Sequence, residues 1–130
     1  MNRKGFTLVE IMIVVAIIAL LAAIAIPNLL RARISANDAL AQSTLRTIST
    51  AAETFGTANR GNYPSDETEL TSATPPYLNK TYCDRTLAGY IFACSWDNGY
   101  YTVTATPVTM GSSGSTVYTI NTGGILTPPN

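Results

Sequence analysis

Cys83 and Cys94 are the only cysteines of the chain, eleven positions apart, and no histidine accompanies them. Without imidazole there is no His-ligated zinc or haem iron, and no Ser-His-Asp or Cys-His arrangement. The spacing is not C-x-x-C, which argues against a thiol redox motif and excludes c-type haem attachment. What the two cysteines can do is bridge. In an oxidising compartment an even pair is more often joined than free, and closing so short a loop contributes about 2–3 kcal/mol in the chain-entropy model. The alternative is two buried thiols. Asp66, Glu67 and Glu69 crowd three carboxylates together. They could hold Ca²⁺, but no spaced Asp/Asn loop surrounds them, so a solvated polar face is expected and no metal or cofactor is assigned. Asn79-Lys80-Thr81 fits the N-x-[S/T] acceptor sequon, a pattern with a high false-positive rate. The last reactive group is Glu10, which stands inside an apolar run.

Composition narrows the function classes further. The 130 residues carry eight basic and eight acidic side chains, a net charge of zero, so nucleic acid is not expected as the primary partner. No GxxxxGK[S/T] phosphate cradle is present, which removes the P-loop NTPases. Twenty of the first 26 residues are apolar, whereas the remainder is polar and holds 18 of the 19 threonines. A greasy start joined to a Thr-, Ser- and Gly-rich remainder reads as a membrane segment carrying an exported domain.

From Ile11 to Ile26 no side chain is polar, and residues 6–26 contain only Thr7 and Glu10 as polar positions. As a helix, 21 residues span roughly 32 Å, close to the ~30 Å hydrocarbon core of a bilayer. Arg3 and Lys4 precede the run and keep the N-terminus cytoplasmic by the positive-inside rule. A plain secretory signal peptide, cut near Ala23-Ile24-Ala25, is the competing reading. The length of the run and the acid inside it count against that. An ionised carboxylate costs about 2.5–3.5 kcal/mol at the centre of a membrane helix, which marks Glu10 as a functional residue.

Lys4-Gly5-Phe6-Thr7-Leu8-Val9-Glu10, followed by an apolar helix and Pro27, resembles the N-terminus of type IV prepilins and type II secretion pseudopilins. The resemblance covers about residues 3 to 30. It implies that a dedicated peptidase cuts after Gly5 and methylates the new amine of Phe6. Residues 1–5 are then a leader, and the mature chain keeps its anchor. Loss of Arg3 and Lys4 leaves the Phe6 amine as the only cation close to Glu10, about one helical turn away. The two could pair within one chain or between neighbouring chains, and the resemblance implies the neighbour during assembly.

Pro27 is expected to break or kink the helix, since proline removes a backbone hydrogen bond. Asn28 to Thr54 lacks Gly and Pro, and Ile34, Ala41, Ile48 and Phe55, with Leu45 and Ala52, form one apolar stripe that a small sheet should cover. The helix is expected to end near Gly56, giving a 6–55 helix and a 56–130 head. Gly61-Asn62-Tyr63-Pro64 opens an irregular connector with room for one helical turn. Tyr90 to Trp96, a turn at Asp97-Asn98-Gly99 and Tyr100 to Thr106 predict a hairpin, with Tyr101, Val103 and Ala105 on one face. Thr116 to Ile120 and a short Ile125-Leu126 edge complete an antiparallel sheet within 89–126, of three to four strands. The predicted class is α+β, a ladle of one long helix and a small head.

These features point to a non-enzymatic subunit that polymerises into a type IV pilus. The alternatives are a type II secretion pseudopilin, supported by G-x-Y-P but lacking the acidic C-terminal Ca²⁺ site usual there, and a membrane-anchored periplasmic enzyme or binding protein that never polymerises. The resemblance implies as partners further copies of the chain, related minor pilins, the prepilin peptidase/methyltransferase, an inner-membrane platform and an assembly ATPase. It also implies a single-pass inner-membrane precursor that becomes an extracellular or periplasmic filament. Aromatic residues, including seven tyrosines and Trp96, are read as sheet packing rather than a conducting path.

Overall fold

The computed structural model describes residue 1 and residues 4–127; Arg3 and the Pro128-Pro129 end lie outside them. Two compact units divide the chain, Met1–Arg33 and Ile34–Asn130.

Helix α1 runs from Leu8 to Ala58. From Ile11 to Ile26 it is apolar all round, and from Leu8 to Leu30 only Ala22 is even half-buried. It is the one helix among the described residues long and apolar enough to cross a membrane. Pro27 lies inside α1 and does not end it, contrary to the expected break. Proline deletes one donor and crowds one carbonyl, and the turns on either side propagate through the defect. Gly56 is likewise interior and buried, because the Tyr63 ring lies over it: a Cβ there would come within 3.1 Å of Tyr63 Cε1. The helix stops instead where Arg60 and Gly61 take positive φ, and the Gly61 amide closes back on the Gly56 carbonyl at 2.7 Å.

In the second unit α1 supplies one wall of the core. Ala41, Leu45, Ile48 and Ala52 of the predicted stripe are buried, and Phe55 packs beside a smaller cluster of Ala51, Leu70 and Leu78. The other wall is a five-stranded antiparallel meander: β1 (Thr86–Leu87), β2 (Tyr90–Asp97), β3 (Tyr100–Pro107), β4 (Tyr118–Asn121) and β5 (Ile125–Thr127), in the spatial order of the chain. The α+β class holds, with one strand more than expected. The β2–β3 register, Asp97 opposite Tyr100, leaves Asn98-Gly99 as the two-residue turn. Tyr101, Val103 and Ala105 face inward and are fully buried, as their alternation predicts.

The extra strand, β1, escapes sequence reading because its hairpin turns on Ala88-Gly89. Both residues have positive φ, and alanine is a poor advertisement for that conformation. Gly89 is doubly required there, since a Cβ would come within 2.7 Å of the Ser113 side chain.

Candidate functional site

The N-terminal segment comes first. The Thr7 amide and hydroxyl donate to one Glu10 carboxylate oxygen at 2.7 and 2.9 Å, and the Glu10 amide donates to the Thr7 hydroxyl at 3.2 Å. This is a reciprocal capping box, T-x-x-E, at the start of α1. It satisfies donors that the first helical turn leaves orphaned and gives an acid in an apolar helix local partners. Thr7 therefore belongs to the site. Its signal, a threonine three positions before a glutamate at the head of an apolar run, stands in the sequence. Phe6 is exposed, as are the side chains from Glu10 to Leu21 that follow it along the helix. Gly5 precedes the helix with nothing within 4 Å of where a Cβ would stand. The peptide joining Gly5 to Phe6 thus lies in non-helical backbone, accessible from outside.

The head is tied together by carboxylates that sequence spacing does not reveal. Glu53 of α1 accepts from the Tyr101 phenol at 2.8 Å, the Tyr63 phenol at 3.0 Å and the Gly123 amide at 2.6 Å. One helical acid thereby holds β3, the connector and the β4–β5 turn. Burial, then the adjacent Glu53 carboxylate, pushes the Tyr63 phenol up; burial and Glu53 push Tyr101 up further, against a hydrogen bond to Ser49.

Asp38 does the same at the other end of the core. It accepts from the Tyr90 phenol at 2.6 Å, the Ser115 amide at 3.0 Å and the Ser115 hydroxyl. The neighbouring Asn37 amide group donates to the Ser113 carbonyl at 2.8 Å. Burial pushes the Asp38 carboxyl up, but the Ser115 hydroxyl, the Tyr90 phenol and the Ser115 amide together outweigh it. The carboxyl ends below the ordinary aspartate range.

Asp66 and Glu69 are exposed, as a solvated face requires, whereas Glu67 is buried, which corrects the expectation for that one acid. Asp66 caps α2 (Glu67–Ser72), accepting from the Glu69 amide at 3.2 Å and from the Thr68 hydroxyl. Glu69 reaches back to the Ser65 amide and hydroxyl at 3.1 and 2.9 Å. Glu67 is buried and receives the Tyr82 amide at 2.6 Å and the Cys83 amide at 3.1 Å. For Asp66 and Glu69 the reason is local, since a short helix needs its first turn capped and these two acids are spaced to do it; Glu67 is engaged by amides that the chain brings back 15 and 16 positions later. Among the described residues no group of three or more His, Cys, Asp or Glu side chains could hold a metal.

Cys83 and Cys94 are joined in a disulfide, with their Cα atoms 5.6 Å apart. The bridge ties the segment ahead of β1 to the middle of β2, beside the carbonyl and amide of Phe92 that bond Asp84 and Arg85. Trp96 and Tyr101 lie 6.0 Å apart, and Tyr63 and Tyr101 5.2 Å, as packed pairs in the core.

An apolar helix headed by a capped acid leads the chain, and a disulfide-closed α+β head follows it. Residues 1–26 match the family model of the prokaryotic N-terminal methylation motif. Over 110 residues the chain is 36% identical to the type IV wide pilus major component PilA4 of Thermus thermophilus, covering 82% of this chain and 83% of that protein. It is 48% identical over 54 residues to the type IV major pilin protein PilA of Myxococcus xanthus, which covers 42% of this chain and 24% of that one. With the type IV major pilin protein PilE1 of Neisseria gonorrhoeae it shares 34% identity over 116 residues, 86% of this chain and 55% of that one. No solved structure matches. The chain belongs to the type IV pilin family.

Proposed function

We propose that this chain is a structural subunit that polymerises into a type IV pilus filament. The observation that carries the reading is the segment from Leu8 to Leu30, apolar on every side and exposed, with one capped acid near its start. Such a surface needs lipid before assembly and the helices of other subunits afterwards. Residues 1–5 are the leader, removed after Gly5, and the amine of Phe6 is methylated. Residues 6–26 anchor the precursor in the inner membrane with the N-terminus cytoplasmic and then enter the filament core.

Glu10 sets the depth at which a subunit docks. In the core, away from water, its carboxylate needs more than Thr7 offers, and the Phe6 amine of a neighbouring subunit is the cation in reach. A subunit one helical turn out of register loses that pair. The reading makes the chain a structural protein rather than an enzyme, and it calls for a prepilin peptidase/methyltransferase, a platform protein, an assembly ATPase and minor pilins as separate chains. Relatives that are pilus major components support the pilus over the secretion pseudopilus.

The test is intact-mass and N-terminal analysis of the purified protein, combined with gene deletion. The reading expects a start at Phe6 with one added methyl group, and loss of surface filaments with normal protein secretion. A start near Ile26 would establish a secretory signal peptide instead. Intact filaments with failed secretion would establish the pseudopilin.

A further inference from the structure

Asn79-Lys80-Thr81 is the one N-x-[S/T] triplet of the chain, and neither processing nor assembly uses it. The structure places it on a short bridge between two anchored points. Ahead of it Leu78 is buried, and its amide donates to the Leu70 carbonyl at 3.0 Å. Behind it the amides of Tyr82 and Cys83 are held by Glu67, and Cys83 is tied to Cys94. Between these anchors Asn79 and Lys80 are exposed and Thr81 is half-buried. The hydrogen bonds of this stretch go to Glu67 through the backbone and, among the described residues, engage neither the Asn79 amide group nor the Thr81 hydroxyl.

A second observation concerns charge. Lys80 Nζ stands 5.1 Å from the centre of the Tyr82 ring, and Lys80 and Arg85 line one open cleft of about 430 Å³ with Thr81, Tyr82 and Leu87. Lys80 is the middle residue of the triplet, and Arg85 shares a cleft with Lys80 and Thr81.

We propose that Asn79 is a glycosylation site, modified by transfer of an oligosaccharide from a polyprenyl-diphosphate carrier. The Asn79 Nδ2 attacks the anomeric carbon, so that a C–N bond forms and the C–O bond to the diphosphate breaks. The polyprenyl diphosphate leaves with the electron pair, and the amide proton passes to a base of the transferase. Thr81 supplies the hydroxyl that the acceptor triplet requires. Lys80 and Arg85 suit the site to a donor whose leaving group is a polyanion. Asn79 is exposed and belongs to neither core cluster. The inference rests on the reading that the head is exported.

The experiment is peptide mapping and intact-mass analysis of the protein purified from its own host. The expected result is a sugar mass on the peptide containing Asn79, stable to mild alkali. Asn79→Gln and Thr81→Val lose it, and Thr81→Ser keeps it. The same spectra report the N-terminus. A chain that begins at methylated Phe6 with bare Asn79 overturns the site and leaves the filament function standing. A chain that begins at Met1 with bare Asn79 overturns both. Sugar on Thr74 or Thr81, released by alkali, also overturns the assignment to Asn79.

Discussion

Glu10 is the single ionisable side chain between Phe6 and Leu30, and its two partners, both from Thr7, are local. Replacing it by leucine removes a desolvation cost, so Glu10→Leu should insert and be processed as well as the parent protein. The head should fold unchanged, because its core begins at Ala41. Filament yield, counted by electron microscopy, should fall sharply, and a normal yield would remove Glu10 from the assembly machinery. Asp38 offers a test of a different kind. Its carboxyl is held below the ordinary aspartate value, so its hydrogen bonds stabilise the fold fully above the unfolded value of about 3.9. That stability is lost as pH falls through the lower, folded value. The thermal midpoint of the head should therefore drop below pH ~4, and Asp38→Asn should flatten that acid limb while lowering the midpoint at neutral pH. An unchanged acid limb in the variant would mean that other carboxylates set it.

At the scale of elements, the segment between α2 and β2 is fixed by two devices that converge on one residue. Cys83 is covalently tied to Cys94, and its amide is held by Glu67. Replacing both cysteines by serine should cost about 3 kcal/mol, the chain-entropy value for a loop of this length. Glu67→Gln keeps the shape but loses the charge that accepts the Tyr82 and Cys83 amides, and should cost about 1–2 kcal/mol. The two perturbations share Cys83, so a double-mutant cycle in denaturant should show coupling; strict additivity would mean that the devices act separately. This region also shows where the sequence was and was not legible. The alternation of Tyr101, Val103 and Ala105 declares β3, and the stripe from Ala41 to Ala52 declares the helix face. Both are periodic and answer to a single surface. Glu53, Asp38 and Glu67 carry no such mark. The partners of Glu53 in β3 and the β4–β5 turn lie 48 to 70 positions away, those of Asp38 52 to 77, and the amides on Glu67 15 and 16. An acid on the polar side of a helix looks solvated until the fold brings a phenol or an amide to it. The capping box at Thr7 and Glu10 is the opposite case, a fully local pattern of a threonine three positions before a glutamate.

For the molecule as a whole, the division into two units has a direct consequence. Among the described residues every buried apolar side chain lies at Ala41 or later, and the large apolar side chains from Phe6 to Leu30 are exposed. The hydrophobic clusters of the second unit are built from residues of that unit. A fragment of residues 34–130 should fold in an oxidising compartment as a soluble monomer, with the Cys83–Cys94 bridge formed and a single cooperative unfolding transition. The full-length chain should require detergent, because the exposed apolar surface of residues 8–30 has no cover within one copy. A cut at residue 56 should behave differently. It removes Ala41, Leu45, Ile48, Ala51 and Ala52, one entire wall of both clusters, together with Asp38 and Glu53. The inward faces of Tyr90, Phe92, Tyr101 and Val103 would then meet water, and about 75 residues hold too small a core to offset the ordering of the chain. Residues 56–130 should be unfolded or aggregated even with the disulfide intact. Circular dichroism and gel filtration of the two fragments decide the matter. A 34–130 fragment that aggregates would mean that the apolar helix is needed for folding as well as for assembly, and a folded 56–130 fragment would mean that α1 is not the wall that completes the core.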